Sequence, residues 1–405
     1  MNIRQRIAST AVTVVNRASR MAGRGSGTVV GGKVGLAIDA TLLSGLSERR
    51  STVLVSGTNG KTTTTALLAA ALGTAGPVAS NDTGSNMPAG HVAALAARRD
   101  AALAALEVDE AYLGQSVEST EPVGIILLNL SRDQLDRLNE VRKLAERWKI
   151  ALADVSSVIV ANAEDPLVVY AARGCANTVF VEAGLVWNQD AVGCPNCGGH
   201  IVFADTWSCD RCDLEQPPAR WRRVGSQIMA GGEIRGDLRL AIPGSFNLDN
   251  ALLVVAMAEM IGLDLEAVLE ALARVGTVAG RFERCQIAGT DAELMLAKNP
   301  AGWAALLDLV AEDSNPVVIG INARIADGAD PSWLWDVDFS QLANRRVIAT
   351  GDRWRDLSVR LDYADVEHGC EPNVERAIES AGLQGQFVSA MGNYTAFGDM
   401  RKLIK

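Results

Sequence analysis

Gly57, Thr58, Asn59, Gly60, Lys61, Thr62 and Thr63 form one run, and residue types in that order suit the holding of phosphate. Two glycines let backbone amides turn inward toward phosphate oxygens, the lysine offers a point charge to the β- and γ-phosphates, and the Thr62 hydroxyl can hold Mg²⁺. The glycines are two residues closer together than in the usual G-x-x-x-x-G-K-[ST] pattern. The flanks nevertheless fit. "TVLVSG" before the run is a β-branched apolar strand, and "TTTTALLAAALGTAG" after it is alanine-rich and helical.

A second apolar strand, within "AALAALEVDEAYL", brings Glu107, Asp109 and Glu110 to its end, where doubly wound sheets present ligand groups to a crevice. Glu107 is the best second magnesium ligand. A third strand, "GIILLNL", runs out into Ser131–Leu138, "SRDQLDRL", which composition alone reads equally well as a helix cap with surface charge.

Cys194 and Cys197 form one C-x-x-C pair, and after eleven intervening residues Cys209 and Cys212 form another. Two such knuckles at this separation can meet at one tetrahedral metal, a zinc ribbon. Four thiolates leave no open position, so Zn²⁺ would fold an insertion, about residues 190–222, rather than catalyse. Cys175, Cys285 and Cys370 read as ordinary buried thiols.

The elements that must position these groups come from a chain of 405 residues, 48% hydrophobic and 21% charged, long enough for two or three domains. A net charge of −10 argues against nucleic acid as the main partner. Residues 1–24 carry Arg4, Arg6, Arg17, Arg20 and Arg24 around Ile3, Ile7, Val12, Val14 and Val15, the makings of a basic amphipathic helix. Ser9, Thr10, Thr13 and Asn16 interrupt the apolar run that a secretory signal needs. No stretch is apolar for the ~18 residues that cross a bilayer. The expected location is cytoplasmic, with peripheral contact at the inner membrane face left open beside simple packing on the next domain.

Beyond residue 277 strands and helices alternate afresh: "PVVIGIN", "RRVIATG" and "GQFVSAM" read as parallel strands, "WAALLDLVAE" and "VERAIESA" as helices. One strand-end loop there, "INARIADGADPSWLWDVDF", gathers Asp327, Asp330, Asp336 and Asp338 beside Trp333 and Trp335. Composition alone permits a plain surface loop whose acids cap a helix and whose tryptophans fill the core.

"GTNGKTTT", "EVDE", "NLSRDQLDR", "NAEDP", "GSFNLDNALL", "GRFE" and "AKNPAG" occur in that order, and in this the chain resembles the Mur ligase superfamily. The resemblance implies an α/β fold, with a P-loop ATPase domain and a Rossmann-like C-terminal domain. Expected boundaries are 1–45 for an N-terminal helical segment, 46–276 for the ATPase domain with its ribbon, and 277–405 for the C-terminal domain. It also implies a mechanism in which ATP phosphorylates a carboxylate and an amine displaces the phosphate. By motif match, Lys61, Thr62 and Thr63 would take phosphate and Mg²⁺, Glu107 a metal, Asn250 the adenine side, and Arg281 a phosphate near the hinge.

Three departures narrow the likeness. Only about 50 residues precede the phosphate loop, too few for a domain that grips a uridine nucleotide sugar. Gln134 stands where many relatives have histidine, and no lysine lies between Lys149 and Lys298 to serve as a carbamylated metal bridge. With the ribbon, the aspartate-rich loop and a late "GNYTA" (residues 392–396), the chain most resembles ligase subunits that pair with a GatD-like glutaminase as a heterodimer to amidate lipid II. That likeness implies ammonia from the partner, a D-glutamate α-carboxylate as acceptor, and Asp330 as the acid that completes the partner's cysteine–histidine triad. The chain's own three histidines, His91, His200 and His368, and its spare cysteines form no recognisable glutaminase. The rival readings are an amino-acid-adding ligase of the Mur or folylpolyglutamate kind and a non-catalytic nucleotide-binding scaffold that regulates a glutaminase.

Overall fold

The strand β1 (Ser51–Ser56) is buried on both faces apart from its first residue, so its sequence runs apolar rather than alternating, as a central parallel strand requires. Val53 and Val55 face one core and Leu54 the other, because successive side chains leave opposite faces of a sheet. The computed structural model describes residues 1–21, 28–81, 84–132, 141–276, 282–382 and 385–404. These fall into two units, the first spanning Met1–Leu130, Glu140–Ala241 and Ser245–Gly276, the second Ser131–Asn139, Ile242–Gly244 and Thr277–Lys405.

In the first unit β1 is joined by β2 (Val78–Ser80), β3 (Leu103–Val108), β4 (Gly124–Leu127), β5 (Val158–Asn162) and β6 (Thr178–Val181). A small hairpin, β7 (Ile201–Phe203) and β8 (Trp207–Cys209), stands apart, and β9 (Trp221–Val224), β10 (Gln227–Ala230) and β11 (Glu233–Asp237) extend the main sheet. Its order is β11-β10-β9-β6-β5-β4-β1-β3-β2. The strands from β2 to β9 pair in parallel, and β9, β10 and β11 are antiparallel.

One face of this sheet is covered by helices Lys61–Gly73 and Ser245–Met260. The second of these is apolar all round from Ala251 to Ala258, the pattern of a helix enclosed on every side. The other face is covered by helices Pro88–Ala97 and Val141–Leu152 together with the N-terminal helices Ile3–Met21, Thr28–Ile38 and Leu42–Ser47. The first helix turns a small and polar side inward. Ala8, Ser9, Val12, Gln5 and Asn16 are buried; Gln5 Nε2 donates to Thr41 Oγ1 at 3.1 Å and Asn16 Oδ1 accepts from Gly31 N at 3.1 Å.

The second unit holds β12 (Phe282–Ile287), β13 (Thr290–Leu296), β14 (Val317–Gly320), β15 (Val347–Thr350), β16 (His368–Cys370) and β17 (Val388–Gly392), ordered β12-β13-β17-β14-β15-β16. The predicted strands at 317, 347 and 388 are present and parallel. The antiparallel hairpin β12–β13 was not anticipated. Its two-residue turn puts both Ala288 (φ 50°) and Gly289 (φ 80°) in the left-handed region, the turn whose twist matches the strands. Cys370, expected to be buried, is exposed because it lies on the edge strand β16. Among the described residues no helix is long and apolar enough to cross a membrane.

Candidate functional site

The loop after β1 is shaped so that neither glycine can carry a side chain. Gly57 has φ 151° and a Cβ there would lie 2.8 Å from Leu128 Cβ; Gly60 has φ 84° and its Cβ would meet Asn250 Nδ2 at 2.9 Å. Asn129, at the end of the β4 segment, clamps the loop. Thr58 N donates to Asn129 O and Asn59 N to Asn129 Oδ1, both at 2.9 Å, while Asn129 Nδ2 donates to Asn59 O at 3.1 Å. The amides of Thr58 and Asn59 are thereby committed to the clamp. Those at the start of helix Lys61–Gly73 have no carbonyl one turn back within the helix and carry the positive end of its dipole. Thr62 stands half-buried at that end and Thr63 is buried.

Lys61 folds back over this loop. Its Nζ donates to Gly57 O, to Thr58 O at 3.2 Å and to Glu110 Oε2 at 3.0 Å. Trp148 Nε1 donates to Glu110 O at 2.9 Å and so fixes the short turn that carries the acid.

Glu107 lies beside β1, opposite Val55, in the last turn of pleat before β3 ends. Three side chains from the 81–91 segment hold it. Asn81 Oδ1 accepts from Glu107 N at 2.8 Å and Asn81 Nδ2 donates to Glu107 O at 2.9 Å, continuing with a side chain the ladder that β2 has just ended. His91 Nε2 meets the same carbonyl at 2.8 Å, and Asn86 Nδ2 donates to Glu107 Oε1 at 3.3 Å. Burial pushes the His91 imidazole down to about 4, against the opposing pull of its carbonyl partner, so the ring is neutral and Nε2 is the donor. Among the described residues, Glu107 Oε2 is buried with no hydrogen-bond partner. An orphaned carboxylate oxygen is costly, and an oxygen-seeking divalent cation is the partner it fits.

The four ribbon cysteines converge, with all sulfurs within 4.8 Å of one another. Gly199 N donates to Cys197 Sγ and Arg211 N to Cys209 Sγ, each at 3.4 Å, and Asn196 Nδ2 donates to Cys212 Sγ at 3.5 Å. Donors aimed at sulfur stabilise thiolates, as a tetrathiolate metal site needs. Asn196 and the Leu214 amide pull the Cys212 thiol down to about 6, while burial pushes that of Cys194 up to about 12. Trp207 Nε1 donates to Ala163 O at 3.0 Å, tying the hairpin to the segment after β5. His200 is exposed and lies outside the cluster.

In the second unit the loop after β14 is stapled at two points along its first part, Asn322 and Asp327. Asn393 Nδ2 donates to Asn322 O at 2.6 Å and Asn322 N to Asn393 Oδ1 at 3.1 Å. Thr395 N donates to Asp327 Oδ1 at 2.8 Å, and the Thr395 hydroxyl also bonds this carboxylate. The late "GNYTA" motif is thus the brace of the loop. Trp333 is buried against Trp303, ring centroids 6.0 Å apart, whereas Trp335 is exposed and edge-on to Tyr363. Asp330 is exposed and accepts a local bond from Ser332 N at 2.8 Å. His368 Nδ1 donates to Val366 O (2.9 Å), its Nε2 lies 2.7 Å from Ser358 Oγ, and Cys370 Sγ meets the same Oγ at 3.5 Å, so a shared serine separates the two.

The structure therefore brings Gly57, Thr58, Asn59, Gly60, Lys61, Thr62, Thr63, Glu107 and Asn250 together in the first unit. Asn250, expected toward the adenine, has its carboxamide against Gly60, the residue that caps helix Lys61–Gly73. Arg281 and Gln134 lie outside the described residues. The residues that sequence reasoning missed are Asn129, Asn81, Asn86 and His91, and it noted Glu110 only as one of three acids.

A family described as Mur ligase middle domain matches residues 55–191, and one described as MurT ligase C-terminal matches residues 296–397. The chain is 28% identical to the lipid II isoglutaminyl synthase (glutamine-hydrolyzing) subunit MurT of Streptococcus pneumoniae, over 94% of this chain and 93% of the relative. It is also 28% identical to the subunit of the same name from Staphylococcus aureus strain COL, over 98% and 97%. A pseudomurein peptide ligase type C from Methanothermus fervidus shares the fold with a TM-score of 0.69 at 19% identity, over 90% of this chain and 80% of that one.

Proposed function

The chain belongs to the Mur ligase superfamily, and from that premise we propose that it is an ATP-dependent carbon–nitrogen ligase, the MurT-type subunit of a lipid II isoglutaminyl synthase. Its substrate is the α-carboxylate of D-glutamate in the stem peptide of lipid II, its product D-isoglutamine, and its nitrogen comes from glutamine through a GatD-like glutaminase in a heterodimer. The reaction is placed in the cytoplasm, at the membrane face where a lipid-linked precursor is reached. The observation that carries the reading is the orphaned Glu107 oxygen beside a phosphate loop whose lysine is already paired across the sheet crevice.

Lys61 and the first amides of its helix would bind the β- and γ-phosphates, with Thr62 and Glu107 holding Mg²⁺. That ion, when bound, neutralises charge on the transferring phosphoryl group. The substrate carboxylate takes the γ-phosphoryl group to give an acyl phosphate and ADP; ammonia then attacks the carbonyl, and inorganic phosphate leaves with the C–O bond electrons. Lys61 acts by position and charge rather than by proton transfer. The ribbon would hold structural Zn²⁺ through Cys194, Cys197, Cys209 and Cys212. Asn250 and Arg281 would complete the nucleotide site.

Asp330 supplies the partner with the carboxylate that orients its histidine, so that glutamine hydrolysis depends on assembly. Its brace supports this role: the loop is pinned at Asn322 and Asp327 while Asp330 itself is left facing out. In the mixed complex, Asp330→Asn should lower glutaminase turnover by at least about a hundredfold while ATP binding persists. Unchanged glutamine hydrolysis overturns that assignment. Glutamine with partner should support ADP release, and free amino acids should not; the reverse favours an amino-acid-adding ligase.

A further inference from the structure

The N-terminal helix Ile3–Met21 is built the wrong way round for a helix that only packs on its own domain. Its inward face is Gln5, Ala8, Ser9, Val12 and Asn16. Its outward face exposes Ile3 (78%), Ile7 (60%), Val14 (61%) and Met21 (83%). At 100° per residue these four fall within about 40° of one another, a single stripe roughly 28 Å long. Arg6 and Arg17, both exposed, flank it on one side and Arg4 on the other. The next helix, Thr28–Ile38, adds exposed Val29, Val30 and Lys33.

The charge is as uneven as the hydropathy. Residues 1–38 hold Arg4, Arg6, Arg17, Arg20, Arg24 and Lys33 and no aspartate or glutamate, in a chain whose net charge is −10. The next acids along are engaged within the fold, Asp39 with Thr41 and Glu48 with the N-terminal amine. A nucleic acid would use the cations and leave the stripe in water. An anionic bilayer uses both, because apolar side chains enter the acyl boundary while arginines reach the headgroups.

We propose that the outward face of helix Ile3–Met21, with Lys33 alongside, is a docking surface for an anionic lipid bilayer. It deepens the functional reading above, resting on the acceptor being lipid-linked, and names the surface that brings the ligase to it. The helix is also coupled to the site. Val12 packs at Gly35 together with Val92, and the neighbouring His91 holds Glu107. The lipid-facing helix and the metal-holding strand thus belong to one packed body, the first unit.

The test is sedimentation of the full chain, in complex with its glutaminase, with vesicles of phosphatidylcholine alone or of phosphatidylcholine mixed with phosphatidylglycerol. Wild type should bind the anionic vesicles at least about tenfold better, with binding weakened by salt. Both Ile7→Asp/Val14→Asp and Arg6→Gln/Arg17→Gln should reduce that binding about tenfold or more. All these side chains are exposed, so the melting temperature and amidation of a water-soluble stem peptide should stay as in wild type. Equal binding to neutral vesicles, binding by both variants as by wild type, or no vesicle binding at all overturns the proposal. Self-association that the same substitutions abolish, without vesicle binding, overturns it in favour of a second copy of the chain. Failure of amidation in every form, with vesicle binding intact, would count against the reaction assigned and not against this surface.

Discussion

Lys61 Nζ lies 3.0 Å from Glu110 Oε2, and the two side chains are only 5% and 10% exposed. On the role proposed for Lys61, phosphate draws the ammonium away from this acid, and the pair is the resting position of that lysine. Glu110→Gln keeps an acceptor but removes the charge, leaving a buried cation underpaired; it should cost about 1–3 kcal/mol of stability without nucleotide. The deficit should shrink in saturating Mg-ATP, which favours the form in which Lys61 has left. Denaturant titrations with and without nucleotide read this out. Lys61→Ala should abolish ATP turnover, and equal stability of Glu110→Gln in nucleotide-free protein would contradict the latch.

Glu107 presents the opposite case, a buried carboxylate oxygen that lacks a partner among the described residues. Glu107→Gln removes the charge while keeping the shape. Without Mg²⁺ the variant should be as stable as wild type or more so, since an uncompensated buried charge is lost. Turnover should fall at least about a hundredfold, with the Mg²⁺ concentration for half-maximal rate raised. A variant with normal Mg²⁺ dependence would remove Glu107 from the metal site.

The ribbon makes its own forecast. Each chain should carry one tightly held zinc, and Cys209→Ser or prolonged chelation should release it. Trp207 is buried, its indole bonded to Ala163 O, so metal loss should redden its fluorescence and lower the melting temperature by several degrees. Zinc-free protein with an unchanged melt would show that the hairpin stands without metal.

Asp165 accepts from Leu130 N, Leu167 N and Val168 N, and burial still pushes its carboxyl from 3.8 up to about 6, with Asp190 adding to the push and the three amides opposing it. A folded value above the unfolded one means that the native chain binds the extra proton. The associated stability is present below the unfolded value and is lost as pH rises through the folded one. Between about pH 4 and 7, therefore, wild type should lose stability relative to Asp165→Asn, which does not titrate. Melting curves for both proteins across that range check the sign, and a constant gap would contradict it.

Much of this site was legible because its signals are local. Gly57 to Thr63, the apolar strand before them and the helix after them lie within one short run, and the C-x-x-C pairs declare themselves by spacing. The groups that hold the site in place leave no such trace. Asn129 reaches Asn59 across 70 residues and Asn81 reaches Glu107 across 26, bonds set by strand order rather than by any periodicity. Glu110 meets Lys61 only because β3 pairs with β1. The β12–β13 hairpin escaped notice because its turn uses Ala288 where the usual signal is asparagine or aspartate. Cys370 reads as buried in the sequence but is exposed, because nothing local marks β16 as an edge strand.

The central claim is that the γ-phosphoryl group of ATP is transferred to a carboxylate before nitrogen arrives. Stem-peptide substrate carrying ¹⁸O in the D-glutamate α-carboxylate, incubated with the complex, glutamine and Mg-ATP, tests it in one turnover. The account predicts that one labelled oxygen appears in the inorganic phosphate released for each amide formed; amide formed with wholly unlabelled phosphate would contradict it.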